Sequence, residues 1–125
     1  MNISRGFLVT GSLYLLVGIG FGMHMGASGD HSMSPVHAHI NLLGFTLMTV
    51  FGLAYRLIPA LTDGWMGKAH FWLHQIGALA LLVGLALLIS GRVAEASIGP
   101  VLMVSEILVA LGALIWAANV WTKTA

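Results

Sequence analysis

The chemistry this sequence offers is concentrated in imidazole. Six histidines stand beside four acidic residues, and there is no cysteine. Disulfides, iron–sulfur clusters, thiolate zinc sites and thioether-attached haem are thereby excluded. Any metal must be held by histidine or carboxylate. His24, His31, His37 and His39 lie close together along the chain, whereas His70 and His74 form a separate pair one helical turn apart. Glu106 stands alone inside a long apolar run. Imidazole suits copper, zinc and haem iron, so the question is which elements hold these rings, and at what depth.

The chain is 58% hydrophobic and only 7% charged, where a soluble domain carries about a quarter charged residues. Its net charge of +1 gives no field that would draw nucleic acid. Four apolar stretches, Gly6–Gly26, Val36–Leu61, Ala69–Ser90 and Ile98–Trp121, each reach the roughly 20 residues that cross about 30 Å of hydrocarbon. The breaks between them are short and hold the turn formers and most of the charges. Short connections force antiparallel neighbours. The expected fold is an all-α, integral membrane, four-transmembrane-helix up-and-down bundle in the lipid bilayer, with residues 1–125 forming one domain. Arg5, Arg56, Lys68 and Lys123 fall on one side and Arg92 on the other, which predicts both termini in the cytoplasm. The first segment is long for a secretory signal and reads as an anchor.

Placed on these helices, the histidines sort into two layers. His24 falls near the outer end of the first helix, His37 and His39 in the first turns of the second, and His31 in the loop between. His70 and His74 enter from the other side, at the start of the third. At about 100° per residue, His37, Asn41, Gly44, Met48, Gly52, Tyr55 and Pro59 share one face of the second helix, and His39 points the opposite way. One histidine then faces the bundle and the other faces lipid or a second subunit; lipid is a poor place for imidazole. On the third helix His70, His74, Gly77, Leu81, Gly84 and Leu88 form a stripe whose glycines leave room for a close helix or a flat ligand. Gly18, Gly22 and Gly26 repeat at the four-residue spacing of close helix packing. Glu106 heads a row of Ala110, Ala113 and Ala117, and a carboxyl at that depth is expected to be protonated or paired inside the protein. Plain alternatives stand beside each reading: packing for the glycines, interfacial placement for single histidines, a solvated helix start for His70 and His74, and a bare loop for His31.

The second helix reads His37-Ala-His39-Ile-Asn41-Leu-Leu-Gly44-Phe45, followed by Gly52, Tyr55 and Pro59. It resembles a helix of the catalytic subunit of the haem–copper oxidases, nearest the nitric oxide reductase and C-type cytochrome oxidase branches. More closely, and over most of its length, the chain resembles short four-helix bacterial proteins described as oxidase subunit I-like. The resemblance implies that His39 is an axial ligand of a low-spin haem b, with Asn41 and Tyr55 beside the site, and that the protein sits in a bacterial inner (cytoplasmic) membrane. The helix supplying the high-spin ligand, and the residues that hold copper, have no counterpart here, so the chain is not expected to act as an autonomous oxidase.

Three readings follow. The first is a b-type haem protein that transfers electrons to a redox partner or senses a diatomic gas, with His39, His24 and His37 as candidate ligands and His24 as the intrachain counterpart of His39. The second is a bare copper or zinc site of His24, His37, His39 and Glu106, with His70 and His74 as a possible second site. The third is a cofactor-free assembly or structural protein for an oxidase. The oppositely directed His37 and His39 point to a homo-oligomer. The threefold helix arrangement of the resembled subunit favours a trimer over a dimer.

Overall fold

A computed structural model describes residues 1–124. It comprises four long helices: α1 (Ile3–Ser28), α2 (Ser34–Leu57), α3 (Met66–Ile89) and α4 (Glu95–Lys123), each long and apolar enough to cross a membrane. They form an all-helical four-helix bundle, as the hydropathy pattern predicts. Both chain ends lie at one end of the bundle, called here the terminal end. Lys123 donates to the Asp63 carbonyl there, and Asn119 Nδ2 donates to Leu61 O at 2.8 Å. The α1–α2 and α3–α4 turns lie at the opposite, loop end.

The helix limits follow local chemistry. Asn2 caps α1 by accepting from the Arg5 amide at 2.9 Å, satisfying one of the free N–H groups of a helix start. Gly29 closes the helix with φ 71°, a left-handed conformation that side-chain-bearing residues resist. In the following turn the Ser32 amide and hydroxyl hold the exposed Asp30 carboxyl below its usual range. Pro35 sits in the first turn of α2, where its missing N–H is not needed. Helix α2 stops at Leu57, four residues before the predicted Leu61: Ile58 precedes Pro59 and is forced out of the helical region, and Pro59–Thr62 form a separate 3-10 turn.

Helix α2 is not uniform. Ile40–Thr46 is π-helical. The Leu47 N–H reaches five residues back to Leu42 O, where an α-helix would send it to Leu43 O. The Leu43 carbonyl is thereby released from the ladder, and His74 Nε2 lies 3.0 Å from it.

Packing divides the bundle into two apolar groups. Ile3, Phe7, Met48, Phe51, Tyr55, Leu61, Phe71 and Ala78 fill the terminal half, and Val36, Ile40 and Leu82 the loop half. Between helices in a bilayer, close packing rather than water exclusion supplies the attraction, and glycines provide it here. A Cβ at Gly44 would come 2.5 Å from the Tyr14 ring, and one at Gly77 would meet Leu108 and Val109. Helix α4 packs chiefly along α3. Only toward its terminal half does it reach α2, where Trp116 lies against Phe51 and Tyr55.

Candidate functional site

At the loop end the two histidines of α2 part as their spacing predicts. His37 is half-buried against α1: a Cβ at Gly22 would lie 3.2 Å from its Cε1, and one at Gly18 would overlap the Asn41 amide. Gly18 and Gly22 of α1 thus make room for a polar pair, while nothing lies within 4 Å of a Cβ at Gly26. Asn41 Nδ2 donates to His37 Nε2 at 3.2 Å, which leaves the His37 proton on Nδ1, buried and without a partner.

His39 leaves the opposite side of α2 and is exposed. Its Nδ1 lies 2.7 Å from the Pro35 carbonyl one turn back. A carbonyl only accepts, so Nδ1 donates to it, and Nε2 makes no hydrogen bond among the described residues. A hydrogen bond from one ring nitrogen to a backbone carbonyl is what fixes the tautomer and orientation of ligating histidines.

The remaining loop-end candidates are not drawn together. His24 is exposed and turned well away from Gly18, Gly22 and Met25, the positions by which α1 faces α2; it does not face His39 within the chain. His31 is exposed in the turn, with Nδ1 3.1 Å from Gly29 O. Among the described residues no three histidine or acidic side chains come together to hold a metal. A bare copper or zinc site of His24, His37, His39 and Glu106 is therefore not assembled within the chain.

Glu106 departs from expectation. It is exposed on the outer side of α4, and no hydrogen bond to its carboxyl is found among the described residues. Helix α4 meets α3 through Ile98, Leu102, Ser105, Val109 and Gly112, and Glu106 lies about 100° around the helix from Ser105. The row Glu106, Ala110, Ala113 and Ala117 consequently faces outward as a whole.

At the terminal end lies a polar cluster more deeply buried than the loop-end layer. His70 and His74 are 0% and 2% exposed, not part of a solvated helix start. Tyr55 Oη is hydrogen-bonded to His70 Nδ1 at 3.0 Å, which leaves the other ring nitrogen, Nε2. That nitrogen is buried without a partner, as is Asn119 Oδ1. Phe51 stands edge-on to His70, with ring centroids 4.4 Å apart and planes at 87°; Phe7 and Trp116 close the other sides. His74 donates from Nε2 to the carbonyl released by the π turn. The rings of His70 and His74 are 6.0 Å apart at 60°, and no third ligand joins them to make a metal site.

Tyr55, placed beside the outer histidines by the resemblance, thus belongs to this inner cluster, while Asn41 does neighbour His37. Asn119 and the Leu43 carbonyl escape sequence reasoning. An asparagine in an apolar helix is a readable sign of a buried partner, but the π turn leaves no mark in the residue pattern. A comparison with family models, curated proteins and solved structures finds no match to the chain.

Proposed function

We propose that this protein binds haem b in the membrane through His39, as an electron carrier or a sensor of a diatomic gas. The observation that supports it most is His39 itself: an exposed ring whose Nδ1 donates to the Pro35 carbonyl and whose Nε2 makes no hydrogen bond among the described residues. This donor fits haem iron, which takes neutral imidazole through one nitrogen while the other donates to the protein. The haem would supply one-electron or gas-binding chemistry; His39 holds it, and Pro35 keeps the ring in position. No imidazole of the same chain faces His39, so the other side of the site belongs to a second copy in a homo-oligomer. The likeness to haem–copper oxidase subunits rests on the α2 motif alone. The gathering of Arg5, Arg56, Lys68 and Lys123 at the terminal end and Arg92 at the loop end supports both termini on the cytoplasmic side; a bacterial inner membrane rests on the α2 resemblance.

The test is the absorption spectrum of the purified oligomer. A Soret band that His39→Ala abolishes and His31→Ala leaves intact is expected. Equal haem content in the two variants would remove His39 from the site. Copper or zinc found without haem would favour a metal protein, and neither cofactor an assembly role.

A further inference from the structure

Among the ionisable side chains exposed within the spans, which also include His24 on α1, Glu106 and His39 lie on two different helices. Glu106 is exposed on α4 and His39 on α2, each within a span apolar enough to lie in hydrocarbon. An ionisable group in a span faces protein or a water-filled cavity, not acyl chains.

Their depths match. A side chain at Gly77 of α3 would meet Leu108 and Val109, and one at Gly84 would meet Leu102, which puts Leu82 close to the level of residues 103–104. Leu82 also packs with Val36 and Ile40. Along α3, His39 and Glu106 therefore stand within about one turn of each other. Both helices run from the loop end to the terminal end, so the residues that follow descend together. On α2 these are Leu42, Thr46, Val50 and Leu53, all exposed; on α4 they are Ala110, Ala113 and Ala117, also exposed. A branched row meets a row of small residues, the combination that lets membrane helices approach.

We infer that a second copy of this chain docks head to tail, its α4 row against the α2 outer face, with its Glu106 opposite His39. Such a contact joins one face of a chain to a different face of the next, so it is heterologous and repeats until a ring closes. The acid and the base complement each other: a hydrogen bond joins the Glu106 carboxyl to the His39 ring. This juxtaposition does not depend on the haem reading. Where that reading holds, the neighbour's Glu106 would border the group that His39 holds.

The chain has no cysteine, which makes disulfide trapping clean. Full-length Leu42→Cys and Ala110→Cys single variants are mixed in membranes and oxidised, with the Soret band recorded on the same samples. Cross-linked Leu42→Cys/Ala110→Cys pairs are expected, with little product from either variant alone, and Glu106→Leu should weaken association roughly three- to thirtyfold in native mass spectrometry. A monomer, or Leu42→Cys chains that link only to each other, would overturn the inference. Haem retained without the mixed cross-link sinks the docking and spares the haem reading; the mixed cross-link without haem does the reverse.

Discussion

At the scale of single residues, the buried Tyr55–His70 pair is the contact whose removal is easiest to interpret. Tyr55→Phe keeps the ring that stacks on Phe7, with centroids 6.0 Å apart, and deletes only the hydroxyl. His70 Nδ1 is then left without its partner beside an already unpartnered Nε2. A buried group that loses its partner costs about 1–3 kcal/mol in soluble proteins, and helix-to-helix hydrogen bonds in membranes average about 0.6 kcal/mol. Tyr55→Phe should therefore destabilise the bundle by about 1 kcal/mol, read from unfolding in mixed detergent micelles. A neutral result would mean that a water or a neighbouring group replaces the hydroxyl. The shared face of His70 and His74 with Gly77, Leu81, Gly84 and Leu88 was legible from helical spacing, with a solvated helix start as the alternative for the two histidines; all but Leu88 prove buried. The partners of the two histidines were not legible: Tyr55 and Leu43 come from α2, and nothing in either local pattern specifies which turn meets which.

At the scale of elements, the four spans and the two faces of α2 could be read directly, because a continuous apolar run and a helical period are properties of local sequence. The outward placement of Glu106 could not. Its row of alanines reads equally well as a face toward the bundle or toward a neighbour, and the choice depends on α4 packing along α3 through Ser105 and Gly112. The π turn is likewise a tertiary feature, stabilised where His74 receives the freed carbonyl. Two expectations follow for α2. Replacing His74 with Leu removes the donor to Leu43 O and should destabilise the bundle by about 1–2 kcal/mol. It should also raise amide exchange within Ile40–Thr46 relative to Leu47–Leu57; unchanged exchange would show that the π turn persists without His74. Gly44→Val places branched carbons where Tyr14 already packs, an overfilled contact of about 1–3 kcal/mol. Gly26→Ala, where nothing lies within 4 Å of a Cβ, should leave stability unchanged in the same assay.

At the scale of the whole molecule, the chain hides little of itself. Between 11% and 33% of the most apolar window of each span is buried within the bundle, with α4 lowest, and large apolar side chains such as Leu16, Leu57, Leu114 and Trp121 are exposed. Lipid covers most of this surface at no hydrophobic cost, so exposure of leucine does not call for a partner, whereas exposure of His39 and Glu106 does. The number of copies then depends on the angle between the two docking faces. The threefold arrangement of the oxidase subunits that α2 resembles leads us to expect three, with the axis along the membrane normal. Orientation is settled separately, by cysteines at positions 2 and 124, which an impermeant thiol reagent should fail to label in intact cells. For assembly, native mass spectrometry in mild detergent should show a three-chain species whose cofactor content falls when Glu106 is replaced by Leu. A two-chain species would change the ring but keep the head-to-tail contact. A monomer carrying its full complement of cofactor would show that His39 needs no neighbour, and the case for assembly would end there.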